Sequence, residues 1–217
     1  MEEEAEQEDS DNYDTEYSHI SKTLDTEMRQ YISEFQKLTA KNDRRAELMM
    51  RRIRVKHPIL HLITINAFKY LFENGKLLRP KAGQQIYKEY QEAKANFYIV
   101  MYGQIEFRNS KVGKFGDVMG LGWTIGEEIL YSEEDDAAIL RLENCVAINQ
   151  ACILQVSVDD LVCMSTQKHV MGGGSNLEND YKIILSFLEK NYEVKSGWRK
   201  DKGLFGSIKE RSREDDK

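Results

Sequence analysis

The chain has 217 residues, 41% hydrophobic and 31% charged, with a formal net charge of -6. That length suffices for one well-packed domain with extensions, or for two small ones. No apolar run approaches the roughly 20 residues of a membrane span and the acidic N-terminus lacks a signal pattern, so a cytoplasmic protein is expected.

The charge is unevenly placed. Residues 1 to 17 hold nine acids and no Lys or Arg, which leaves 28 acids against 31 bases in the rest of the chain. Such a segment predicts a solvated, disordered tail over residues 1–22, either a solubilising extension or an interaction tail. The three cysteines, Cys145, Cys152 and Cys163, are odd in number and lack metal-ligand spacing, so they are expected as reduced small hydrophobes.

A helix is predicted next, over residues 23–57, from Thr23 or Asp25 towards Val55. Leu24, Met28, Tyr31, Ile32, Phe35 and Leu38 recur at helical spacing along one face. Its second half is basic, with Lys41, Arg44, Arg45, Arg51, Arg52, Arg54 and Lys56 against Asp43 and Glu47. This stretch suits contact with an acidic surface as well as a solvated helix face. Pro58 fits the first turn of a further helix that stops at Asn74-Gly75.

From Lys76 the period changes. Short strand-like runs appear at Leu77-Leu78, Gln85 to Tyr87, Phe97 to Met101, Gln104 to Phe107, Cys145 to Ile148 and Cys152 to Val156. Glycines at 83, 103, 113, 116, 120, 122 and 126 punctuate them, a pattern that predicts a small antiparallel barrel or jelly roll. Within "NFYIVMYGQIEF" two alternating apolar runs flank Tyr102-Gly103-Gln104, which reads as a hairpin with glycine in its turn. Ser157-Val158-Asp159-Asp160 reads as a helix cap, and Ser175 with Glu178 as a capping box. The latter opens a helix carrying Leu177, Tyr181, Ile184, Leu185, Leu188 and Tyr192 on one face. Residues 193–217 read as a polar, loosely held tail. No nucleophile elbow, Walker loop, metal cluster, kinase, channel or DNA-reading element is visible, so the residues predict no enzyme and no catalytic site.

Taken in order, several of these pieces resemble the cyclic-nucleotide-binding domains of kinase A regulatory subunits, nucleotide-gated channels and bacterial catabolite activators. Gly83-Gln84-Gln85-Ile86-Tyr87 resembles the early strand motif. "NFYIVMYGQIEF" resembles the central hairpin, and "LGWTIGEEIL" (121–130) the start of the phosphate-binding cassette. Cys152 to Val156 with Asp159-Asp160-Leu161 resembles the last strand and the helix after it. The resemblance covers residues 58–192 and implies a mainly β fold, an antiparallel β-roll preceded by a long helix and followed by C-terminal helices. The "GWTxGEE" form is similar to ciliate members, which is compatible with a ciliary or cytoskeletal location.

The resemblance also implies a ligand, cAMP or cGMP, and no other cofactor. In the family, backbone N–H groups at a short helix start and one arginine hold the cyclic phosphate, and a glutamate takes the ribose hydroxyl. Carried over, Gly126 opens the cassette, Glu127 takes the ribose role, and Glu128 and Ile129 offer backbone N–H groups. Two registers compete for the arginine. The usual short cassette puts Asp136 there, a charge reversal that would abolish phosphate binding. A longer loop uses Arg141, with Ala147 six residues on. Even then Leu140, Leu142 and Glu143 depart from the pattern, and Glu133, Glu134, Asp135 and Asp136 add an acidic run. Two readings follow. One is a regulatory or structural subunit with weakened or lost nucleotide binding, acting on protein partners through the 23–57 helix and the roll surface. The other is a genuine cAMP or cGMP sensor using residues 126–141. Trp198 and Tyr192 would be either lid residues over a purine or part of a helix packed on the roll.

Overall fold

The computed structural model describes residues 3–41, 43–130, 139–166 and 177–204, with side chains from residue 22 onward. The chain divides into two compact units, Met1–Lys56 and His57–Lys217. Among the described residues no helix is long and apolar enough to cross a membrane.

The first unit is a helical pair, α1 (Glu3–Ala40) and α2 (Arg45–Lys56). The helix expected over 23–57 is therefore broken. Asp43 is the cause: its carboxylate accepts the Arg45 backbone N–H at 2.9 Å and two hydrogen bonds from the Arg45 guanidinium, which caps a new helix instead of continuing the old one. The expected stripe holds on α1, where Met28, Ile32, Phe35 and Leu38 are buried. On α2, Met49, Met50 and Ile53 are buried. Lys56 Nζ reaches Glu27 at 3.0 Å and the Arg52 guanidinium lies 5.9 Å from the Tyr31 ring centre. The two helices are thus antiparallel, with the end of α2 beside residues 27–31.

In the second unit Pro58 does not open a long helix. A 3-10 turn at Leu60–Leu62 comes first, and α3 (Ile65–Asn74) starts afresh at Thr64, whose hydroxyl accepts from the Ala67 N–H. Eight strands follow: β1 (Lys76–Leu78), β2 (Gln85–Tyr87), β3 (Asn96–Tyr102), β4 (Ile105–Asn109), β5 (Gly113–Met119), β6 (Thr124–Ile125), β7 (Asn144–Ala147) and β8 (Cys152–Ser157). They form two antiparallel four-stranded sheets, ordered β1-β8-β3-β6 and β2-β7-β4-β5. Between the sheets lie Val100, Ile105, Phe107, Phe115, Met119, Ile125, Cys145 and Ile153. Helices α4 (Val158–Thr166) and α5 (Leu177–Asp201) complete the unit. Ser157 caps α4 as expected, accepting from the Asp160 N–H at 2.9 Å.

The "NFYIVMYGQIEF" stretch is not a hairpin. β3 pairs with β6 and β8, whereas β4 pairs with β5 and β7. Tyr102-Gly103-Gln104 is the corner where the chain passes from one sheet to the other. The residues themselves explain it, since Val100, Met101 and Tyr102 are all buried and only a strand enclosed on both faces tolerates that. Gly103 has φ +84, and a Cβ there would lie 2.5 Å from Ala151 Cα. Gly103→Ala is expected to cost about 2–4 kcal/mol, combining left-handed strain with overpacking against backbone. A urea midpoint within error of wild type would refute this account of the corner.

β5 is not among the expected strands because glycine usually weakens a strand, and the two-residue β6 is too short to show an alternation. In β5, Gly116 (φ +68) allows the bulge between the Phe107–Phe115 and Ile105–Met119 pairs. A Cβ there would also meet the Trp198 ring at 2.4 Å. The expected polar tail from 193 is corrected too: α5 continues to Asp201, and Leu204 enters the core between the sheets.

Candidate functional site

The site is built where β6 ends. Gly126 (φ +82) turns the chain out of β6 into a single 3-10 turn, Glu127–Leu130. A Cβ at Gly126 would lie 3.2 Å from Arg141 Nη1 and from the Tyr98 ring, so the glycine lets the guanidinium lie across bare backbone. Arg141 arrives from the segment just before β7. Its N–H donates to Gln91 O at 2.9 Å and its carbonyl accepts from the Tyr90 N–H at 2.8 Å. The guanidinium stacks 4.5 Å from the Tyr87 ring centre. The structure therefore brings Gly126, Glu128 and Arg141 into contact, with Ile129 in the same 3-10 turn. Asp136, the acidic run 133–136, Gly172 to Gly174 and Ser175 lie outside the described residues.

Arg141 is only 2% exposed, so it is no surface strand residue. Nor is it paired with Glu143. Its Nη1 makes an ion pair with the Glu128 carboxylate. Glu143 is fully buried and accepts from Arg199 instead, at 2.6 and 3.1 Å, and from the Tyr87 hydroxyl at 3.2 Å. Glu127, expected at a ribose, is fully buried in an ion pair with Lys195, whose ammonium also donates to Thr124 O at 2.7 Å. Three carboxylates (Glu127, Glu128, Glu143) thus face three cations (Arg141, Lys195, Arg199).

Lys195 and Arg199 were not anticipated. They extend the face of α5 that begins with the buried Ile184 and Leu188 and continues through Asn191, which donates to Thr124 Oγ1 at 3.0 Å. The spacing 184, 188, 191, 195, 199 is one unbroken helical stripe. The signal was therefore present, but it changes from apolar to cationic halfway, and a stripe sought by hydrophobicity stops there. Trp198 joins the same contact by stacking on Trp123, with centres 5.5 Å apart. The lid alternative for Trp198 thus gives way to a helix packed on the roll. The start of α5 is tied down as well, since the buried Asp180 accepts from the Thr64 N–H and hydroxyl at 2.8 and 2.6 Å.

Burial and charge act against each other throughout this network. Burial pushes the Glu128 carboxyl up, but Arg199 and Arg141 overcome it and hold the group at about 2. Burial dominates at Glu127, which is raised despite Lys195, and at Lys195, which is lowered despite Glu127. Burial also lowers Arg141 and Arg199, yet the carboxylates beside them more than reverse it, so both stay charged. Among the described residues, each of the three cations is paired with one of the three carboxylates. Cys145 is buried nearby with its thiol pushed far up, chiefly by burial. Among the described residues no group of His, Cys, Asp and Glu is placed to hold a metal ion.

No family model matches the chain, and no curated protein matches it. Solved structures do resemble it in fold. A cyclic nucleotide-binding-like protein from Brucella abortus is 22% identical, covering 54% of this chain and 97% of that one, with a TM-score of 0.41. The N-terminal domain of a transcriptional regulator from Streptomyces coelicolor is 16% identical over 65% of this chain and 96% of its own, TM-score 0.46. The catabolite activator protein of Thermus thermophilus is 14% identical over 64% and 62%, TM-score 0.45. The described residues form two antiparallel four-stranded sheets with helices before and after them. At these identities the likeness is one of fold.

Proposed function

We propose that this chain is a non-catalytic, cyclic-nucleotide-binding-like protein that acts as a regulatory or structural subunit of a larger assembly, with its nucleotide position filled by its own C-terminal helix. One observation carries the reading: Arg141, the candidate phosphate ligand, is buried and already paired with Glu128, with Arg199 of α5 3.9 Å from the same carboxylate. A cyclic phosphate would have to displace Glu128 and would enter a network whose three cations each have a carboxylate. An added buried anion without a counter-charge costs several kcal/mol, more than a few hydrogen bonds return. Its output would pass through protein partners, by way of residues 23–57 and the roll surface.

The co-location of Gly126, the 3-10 turn and Arg141 favours a second reading, a cAMP or cGMP sensor whose α5 moves aside. Calorimetric titration of the folded protein with cAMP and with cGMP separates the two. No heat is expected from either. Micromolar binding that Arg141→Ala abolishes would overturn the first reading in favour of the sensor.

A further inference from the structure

The helical unit carries a surface that the site does not use. In α2, five basic residues stand against the single acid Glu47. Between the charges, Leu48 is 50% exposed and Val55 67% exposed. These two are seven residues apart, two turns of helix, with the exposed Arg51 and Arg52 between them. An exposed apolar pair framed by arginines suits an acidic helix with apolar residues at the same spacing.

The chain contains such a helix. The first seventeen residues hold nine acids and no base, and α1 begins at Glu3. Tyr13, Tyr17 and Ile20 follow at intervals of four and three, so Tyr13 and Ile20 repeat the seven-residue spacing of Leu48 and Val55. Within one copy the two cannot meet. The Lys56–Glu27 and Arg52–Tyr31 contacts place the end of α2 beside residues 27–31. From Glu27 back to Glu3 α1 continues past that end for about 36 Å, at about 1.5 Å per residue.

We propose that the acidic start of α1 in one copy docks on the basic face of α2 in a second copy, and reciprocally, giving a two-fold dimer. This names the partner of the helical unit and rests on the reading of that unit as an interaction element. Sedimentation equilibrium of the full chain tests it. A dimer is expected whose dissociation constant rises roughly tenfold between low and high salt. Arg51→Glu with Arg52→Glu should give a monomer, as should Glu8→Lys with Asp9→Lys and Asp11→Lys. Mixing the two variants should restore a dimer, because each acidic helix then meets a basic one. Circular dichroism confirms that both variants remain folded. A wild-type monomer at 100-fold the concentration of the assay, a dimer indifferent to both reversals, or no dimer on mixing would each overturn the proposal. Capture of a different acidic protein on residues 45–56 by a monomeric chain would overturn self-pairing yet leave the subunit reading intact. The nucleotide titration bears on neither result.

Discussion

Arg199→Met is expected to destabilise the protein by about 3–5 kcal/mol, the cost of leaving a buried carboxylate without its cation. Glu143 is fully buried, and two of its three hydrogen bonds come from the Arg199 guanidinium. Without them, among the described residues, the Tyr87 hydroxyl would be the donor left to the charge. The guanidinium also lies 5.6 Å from the Phe107 ring centre, which methionine replaces in part. A double change, Arg199→Met with Glu143→Leu, should cost much less than the single one, since it removes both charges and fills similar volume. Urea unfolding of the three variants reads this directly. A single-variant cost below about 1 kcal/mol, the range of exposed pairs, would mean the α5 contact is not part of the folded core.

Glu128 should make the protein acid-sensitive in a defined window. Its carboxyl is held at about 2, below the unfolded value near 4.5. A depressed carboxylate adds stability that is fully present above the unfolded value and is lost as pH falls through the folded one. The contribution is about 3 kcal/mol at neutral pH, and it disappears between roughly pH 5 and pH 2. Glu127 acts in the opposite sense, because burial raises its carboxyl and protonation there favours the folded state. Comparison of wild type with Glu128→Gln isolates the first effect. The variant should be about 3 kcal/mol less stable at pH 7 and nearly equal to wild type at pH 2. Parallel stability curves for the two proteins across that range would show that Glu128 is not held as an ion by Arg141 and Arg199.

Much of the second unit was legible residue by residue. Six of the eight strands carried alternating or continuous apolar runs, Ser157 announced α4, and the likeness to a phosphate cassette pointed to the Gly126–Glu128 turn and, in one of two registers, to Arg141. β5 was not legible, because Gly113 and Gly116 read as turn residues until Trp198 is seen against the second of them. Tyr102-Gly103-Gln104 carries the local signal of a hairpin turn. Whether the two strands pair or part is settled by β6 and β8 on one side and β5 and β7 on the other.

The amino-acid sequence by itself determined where six of the eight strands and the start of α4 form, because period and turn chemistry act over a few residues. It also brought the parts of one turn, Gly126 to Ile129, together as neighbours in the chain. Only the tertiary structure decided what those parts face. Arg141 could equally have met a phosphate, Glu143 or water. It meets Glu128, because α5 lies on the roll and supplies Lys195 to Glu127 and Arg199 to Glu143. Lysine and arginine are usually surface residues, and their burial is stable only where carboxylates from distant segments converge on them. For Lys195 and Arg199 that convergence depends on Glu127 and Glu143, which lie far back in the chain and which no local pattern records.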